Sequence, residues 1–172
     1  RLLEQYKEYF WKLPEVYMWV DLSEWLLEEA KKSFPKQEFK QGNMLDIECI
    51  TWWKRFENIF LIASFHHLDT IEKRENVLTQ LQKLLTPTGK IYITNWALES
   101  PINKDKYKDY YLEGSKSKFW SKDFNIRFWE NDRYYHSFSL TELEYLAQKT
   151  WYQIIENRVF DSERNIITIF KK

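Results

Sequence analysis

Cysteine, histidine and glycine are all scarce in this 172-residue chain. Cys49 is its one cysteine, so an internal disulfide and any multi-cysteine zinc site are excluded, and that usage suits a cytoplasmic protein. The three histidines are His66, His67 and His136; with two of them adjacent, a histidine-based metal centre is not expected. Charge of one sign is missing too. Lys plus Arg number 26 and Asp plus Glu 26, so no overall field gathers nucleic acid or a membrane surface. No apolar run approaches the roughly 20 residues of a membrane span, and no signal-peptide pattern is present. Glycine occurs 3 times and tryptophan 9 times, although glycine ordinarily makes up about 7% of a chain.

What is present is an alternation of strand-like and helix-like stretches. Residues 1–13 read as a helix with Leu2, Leu3, Tyr6, Tyr9 and Phe10 on one face. The run Val16–Val20 reads as a strand and ends in Asp21. Ser23 is a candidate N-cap for a helix over 24–34, with Leu26, Leu27 and Ala30 as its buried stripe and Pro35 as its stop. Strands come next at 37–41 and 58–64, with a loop between. Asp69-x-x-Glu72 has the capping-box spacing and opens a helix to about Leu85, with Ile71, Leu78, Leu81 and Leu85 inward. Thr86-Pro87-Thr88-Gly89 predicts a turn, and 90–96 a strand. Thr141-x-x-Glu144 opens a last helix near 140–150. Two strands, 152–159 and 165–171, then form an antiparallel hairpin across Asp161–Arg164. The whole predicts one α/β domain, 1–172, with a mostly parallel sheet. Residues 97–138 break the rhythm and read as an insertion over the active edge.

Three strand ends carry polar residues: Asp21-Leu22-Ser23, Gly42-Asn43-Met44 and Ala63-Ser64-Phe65-His66-His67. An acid at the carboxyl end of a strand, opening into a helix, is how an open α/β sheet holds the two hydroxyls of a ribose. A nucleoside-like ligand along one sheet edge is therefore expected.

The order strand-Asp, Gly-Asn-Met, His-His-Leu, Leu-Leu-Thr-Pro-Thr-Gly-Lys and terminal hairpin resembles the class I S-adenosylmethionine-dependent methyltransferases, over residues 1 to about 96 and 140–170. The resemblance implies a Rossmann-like fold and S-adenosyl-L-methionine as cofactor. It places Asp21 and Leu22 at the ribose, Asn43 and Met44 at the adenine, and Ala63, Ser64 and His66 on the methyl-donor side. Asn43 stands where the family usually has Asp, keeping an acceptor without the charge. The family's first strand and glycine-rich loop are not found. Arg1-Leu2-Leu3-Glu4 is similar to the segment directly after that loop in the family, so a truncated chain with two unpaired strand edges is expected.

Asn95-Trp96-Ala97-Leu98-Glu99 and Arg133-Tyr134-Tyr135-His136-Ser137-Phe138 further resemble the tRNA wobble-uridine carboxymethyl methyltransferases. That resemblance implies a tRNA partner, a small activating subunit, and a carboxylate acceptor. Arg133 is the candidate anchor through a bidentate pair, and Tyr134, Tyr135 or His136 the candidates to stack on or hydrogen-bond the uracil. A carboxylate needs no general base, and no catalytic residue is assigned. The stretch 101–127 holds seven basic residues against four acidic ones, a local surplus that fits a phosphate backbone. The competing readings are a methyltransferase acting on a small metabolite, which the neutral net charge favours, and a degenerate methyltransferase-like subunit.

Several tryptophans stand where the family has glycine. Trp19 precedes Val20-Asp21, Trp25 comes after Ser23-Glu24, Trp129 lies in a loop, and Trp151 succeeds the last helix, a site that favours glycine. Trp96 alone matches a family tryptophan. Restoring glycine at the other eight positions brings the glycine fraction to the ordinary value, so a UGA codon meaning glycine but read as tryptophan is expected, the alternative being a genuinely tryptophan-rich chain whose indoles fill the core or stack on RNA bases. An upstream UGA read as stop accounts in the same way for the missing loop.

Overall fold

The computed structural model describes residues 2–52, 54–115 and 117–172 and, for Phe128, the backbone alone. The chain divides into two compact units, residues 1–50 and 51–172.

In the first unit, α1 (Leu2–Phe10), β1 (Met18–Asp21), α2 (Glu24–Ser33) and β2 (Glu38–Gln41) succeed one another. A helix between two strands returns the chain in the same direction, and β1 and β2 pair in parallel from Met18 opposite Glu38 to Asp21 opposite Gln41. Ser23 caps α2 as expected, its Oγ accepting from the Leu26 N–H at 3.3 Å. The expected apolar faces are only partly buried. Leu3 and Leu27 are covered, whereas Tyr9, Phe10 and Leu26 are exposed. The loop expected after β2 holds a 3₁₀ turn at Met44–Asp46 and a short helix, α3 (Ile47–Thr51).

The second unit contains β3 (Phe56–Ile62), α4 (Ile71–Leu84), β4 (Leu85–Trp96), α5 (Pro101–Tyr107), β5 (Lys122–Phe128), β6 (Asn131–Ser137), α6 (Leu140–Lys149), β7 (Gln153–Phe160) and β8 (Asn165–Lys171). Its main sheet runs β3-β4-β8-β7. β3 and β4 are parallel, and β8 is antiparallel to both neighbours. Among the described residues β1 bonds only β2, and β3 only β4. Ile91 and Ile93 of β4, Phe170 of β8, Leu78, Leu81 and Leu84 of α4 and Leu143 and Leu146 of α6 form the core. Each such side chain contributes roughly 1.5–3 kcal/mol by leaving water.

β4 starts five residues earlier than the sequence predicted, but its register jumps from Leu85 opposite Phe56 to Lys90 opposite Asn58. Residues 86–89 therefore leave the ladder as a bulge at the expected Pro-Thr-Gly segment. Gly89 is required there, because a Cβ would come within 2.9 Å of the Leu85 side chain and 3.1 Å of the Phe56 carbonyl. Two caps shift. Thr70, not Asp69, caps α4, and Ser139 caps α6, each by accepting the N–H three residues on. Asp69 instead pairs with Lys73 one turn ahead.

The irregular stretch 97–138 forms α5 and the β5–β6 hairpin, neither read from the sequence. Alternation divides the hairpin into two faces. Phe124, Ile126 and Tyr135 join Leu98 and Tyr107 in an apolar cluster, with Trp96 against it. The opposite face carries Asp123, Tyr134 and His136 into a buried polar network. Arg74 Nη1 donates to Glu142 Oε1 at 3.0 Å, and the His136 ring lies between Glu142 Oε2 at 2.8 Å and Asp123 Oδ1 at 2.6 Å. The Tyr134 hydroxyl is 2.6 Å from Asp123 Oδ1 and accepts from Arg74 Nη2 at 3.2 Å. Burial pushes the Asp123 and Glu142 carboxyls up, but hydrogen bonds from His136, with Tyr134 on Asp123 and Ser121 on Glu142, outweigh it and hold both below their ordinary values. Removing one member of a buried ion pair leaves the other uncompensated. Glu142→Ala is expected to lower stability by about 3–5 kcal/mol in chemical denaturation, while the exposed pair control Glu28→Ala changes it by under about 1 kcal/mol.

Candidate functional site

Each unit, taken by itself, carries candidate residues at the carboxyl end of a parallel strand pair. In the first unit, Asp21 Oδ1 accepts the Ser23 N–H at 2.9 Å, and its second carboxylate oxygen takes no hydrogen bond among the described residues. Asn43 Oδ1 accepts the Leu45 N–H at 3.0 Å and so caps the 3₁₀ turn. What Asn43 retains is its amide donors. They suit a ring nitrogen of adenine, an acceptor. Met44 is half-buried and Leu22 is exposed. A Cβ at Gly42 would displace the end of the Ile50 side chain.

In the second unit, β3 ends in Ala63, which takes a positive φ of 48° and donates its N–H to both the carbonyl and the hydroxyl of Thr94. Positive φ outside glycine concentrates at ligand clamps and active sites. Ser64 then opens the 3₁₀ turn Phe65–His67. His66 is 1% exposed, and its Nδ1 accepts the Trp96 N–H at 3.2 Å. Burial, with the neighbouring His67 and His136, lowers its pKa to about 3. His66 is therefore neutral, with its proton on Nε2, and Nε2 has no partner among the described residues. The Asn95 carboxamide, fully buried at the end of β4, has none on either atom. Buried polar atoms without partners mark places where a ligand or water completes the bonding.

His67 takes the opposite tautomer, because Nδ1 faces the Tyr134 carbonyl at 2.9 Å and must donate. Burial foremost lowers its pKa, Arg133 adds to that, and the Tyr134 carbonyl opposes it. Tyr135 gathers the site. Its ring lies 5.1 Å from His66, 4.6 Å from His67 and 5.0 Å from Trp96, nearly parallel to the indole. Burial raises the Tyr135 pKa, against the Arg133 guanidinium that hydrogen-bonds its hydroxyl. Arg133 is exposed and next to this cluster.

The structure thus gathers His66, His67, Tyr135 and Trp96 in the second unit, with Arg133 beside Tyr135 and with Ala63 and Ser64 leading into the turn that carries the two histidines. Tyr134 and His136 alternate onto the other hairpin face, where their polar atoms bond Asp123, Glu142 and Arg74. Arg74 and Glu142 were missed, since surface-type residues on amphipathic helices give no sign of burial. Among the described residues no group of three His, Cys, Asp or Glu is arranged to hold a metal, and no helix is long and apolar enough to cross a membrane.

The free Asp21 oxygen suits a ribose diol, and the His66 and Asn95 orphans suit a polar ligand at the ends of β3 and β4; both fit a nucleoside cofactor. The sequence model of the methyltransferase domain family matches residues 3–93. The chain is 40% identical over 62 residues to the tRNA (carboxymethyluridine(34)-5-O)-methyltransferase ALKBH8 of Macaca fascicularis, covering 36% of this chain and 9% of that protein. A protein named as a methyltransferase in Encephalitozoon cuniculi is 21% identical over 136 residues, 79% of this chain and 61% of its own. A crystal structure of a SAM-dependent methyltransferase from Methanosarcina mazei superposes with a TM-score of 0.69 at 15% identity, covering 90% of this chain and 81% of that one.

The depressed value of His66 makes stability depend on pH. Its folded pKa lies below the unfolded value near 6.5, so the native state binds fewer protons between about 3 and 6.5. Its contribution is full above about 6.5 and falls by about 1.4 kcal/mol per pH unit below it. Urea midpoints measured from pH 7 to 5 are expected to drop accordingly, and His66→Gln to flatten the dependence.

Proposed function

This chain belongs to the methyltransferase domain family, with the Rossmann-like fold and S-adenosyl-L-methionine as its cofactor, and from that premise we propose that it methylates the carboxylate of 5-carboxymethyluridine at the wobble position of a tRNA. The observation that carries the reading is Arg133, held on the Tyr135 hydroxyl beside His66, His67 and Trp96. The stretch of 40% identity to a protein named for that reaction supports it.

When bound, S-adenosyl-L-methionine supplies a sulfonium methyl that an ionised carboxylate oxygen takes in line, leaving a neutral thioether. The chain's own work is alignment and exclusion of water. Asp21 holds the ribose diol through its free oxygen, and the amide of Asn43 donates to an adenine ring nitrogen. Arg133 presents a planar fork to the acceptor carboxylate, which is ionised at neutral pH and needs no proton removed. His66 Nε2–H offers a buried donor without a charge. The half-buried Trp96, backed by the buried Tyr135, supplies flat apolar surface for a pyrimidine.

The test is methyl transfer to tRNA carrying carboxymethyluridine against transfer to a pool of small carboxylic acids, read by nucleoside and metabolite mass spectrometry. A base-labile methyl ester on the uridine is expected. Methylation confined to a metabolite would replace this reading with the small-molecule one. Arg133→Ala is expected to lower kcat/KM by roughly 10- to 100-fold with cofactor binding unchanged, and Arg133→Lys to fall between, keeping the charge without the fork.

A further inference from the structure

A groove of about 410 Å³ is lined by Trp96, by Tyr107, Ile102, Asn103 and Lys106 of α5 and by Arg164 and Asn165 where β8 begins. It contains two cations and no acid. Its walls are fixed to each other: Asn103 Nδ2 donates to the carbonyls of Ala97 at 2.9 Å and Arg164 at 3.1 Å, and Ala97 N–H donates to Arg164 O at 3.0 Å. With its backbone so held, Arg164 leaves an exposed guanidinium with no hydrogen bond or ion pair among the described residues. Lys106 Nζ sits 4.9 Å over the Tyr107 ring. Trp96 and Tyr107 rings lie 6.2 Å apart, so flat apolar surface and positive charge share one groove.

We propose that this groove binds a nucleotide of single-stranded RNA next to the methylated one, its base against Trp96 and Tyr107 and its phosphate on Lys106 and Arg164. The proposal rests on the tRNA reading above and adds its second contact. Stacking accepts any base and the cations accept any phosphate, so the groove supplies affinity without sequence preference. Trp96 belongs to both places, since its indole also lies 5.8 Å from His66. A nucleotide held here therefore sets the position of its neighbour at the site.

Anisotropy of a labelled anticodon stem-loop RNA, titrated across a salt series, tests this. Lys106→Ala and Arg164→Ala are each expected to weaken binding and to reduce the log–log salt slope by about 0.7–1, with Arg164→Lys restoring the slope. Wild-type binding with unchanged variants overturns the groove and leaves the tRNA reading standing. No RNA binding by the wild type overturns both. Binding of a free mononucleotide as tightly as of the RNA overturns the RNA assignment.

A second inference has its own observation. Of the nine non-glycine residues with positive φ among the described ones, five are tryptophan: Trp11, Trp52, Trp120, Trp129 and Trp151. Tryptophan fills only 9 of 172 positions, so this is a property of the sites. A bulky residue at positive φ is a conformational outlier. Trp129 is the first residue of the two-residue link between β5 and β6, and positive φ falls on it and not on Glu130, the type II′ pattern that calls for glycine there. Trp151 lies just past the end of α6. Its N–H bonds Gln148 O at 3.3 Å and the next N–H bonds Ala147 O at 2.9 Å, a Schellman motif with its C′ residue left-handed. Both indoles are solvent-exposed, at 87% and 83%. Trp96 is the opposite case, half-buried, stacked and without positive φ.

We infer that these five positions are glycine in the natural protein, encoded by a codon that its host reads as glycine, and that Trp96 is a true tryptophan. Peptide mass spectrometry of the protein from its native host is expected to show glycine at 11, 52, 120, 129 and 151 and tryptophan at 96. Tryptophan at all six overturns the inference. In the recombinant chain, Trp129→Gly and Trp151→Gly are expected to raise the unfolding midpoint, and a lowered midpoint for both would count against glycine sites.

Discussion

The second unit depends on one buried polar network: Arg74, Glu142, His136 and Asp123, closed by the Tyr134 hydroxyl. Arg74 comes from α4, Glu142 from α6 and the rest from the β5–β6 hairpin, so the network ties the hairpin to the two helices that back the sheet. Buried ions are costly singly and tolerable only when every member is satisfied. The hairpin therefore has one favourable seat. Its apolar face is pressed on Leu98 and Tyr107, and its polar face is locked to Glu142 and Arg74.

That seat determines the site. With Tyr134 committed inward, strand alternation sends Arg133 and Tyr135 the other way, to His66, His67 and Trp96. The Tyr134 carbonyl then sets the tautomer of His67, and the Trp96 N–H sets that of His66. A short motif of consecutive residues thus does two jobs, anchoring with one set of side chains and presenting the other.

The sequence made the regular half of this legible. Hydrophobic period, turn residues and caps located the helices and strands through Trp96 and the last hairpin to within a few residues, because each was decided by local chemistry. The capping residues of α4 and α6 were missed by one and two positions, since Thr70 and Ser139 compete with equally plausible neighbours. The β5–β6 hairpin was hidden because its turn carries Trp129 where a glycine would have announced it. The resemblance offered Tyr134, Tyr135 and His136 alike as uracil contacts, and the strand alternation that sends Tyr134 and His136 to a different face from Tyr135 was not readable without the hairpin. Burial of Arg74 against Glu142 and Tyr134 depends on partners 68 and 60 residues away and has no local trace.

The central claim is that the buried network, rather than the sheet, holds the hairpin and its site residues in place. Site-resolved hydrogen exchange on Glu142→Gln tests it most directly. The amides of 122–137 are expected to lose protection while those of β4 and β8 keep it. Uniform loss across the unit, or an unchanged hairpin, would contradict the claim.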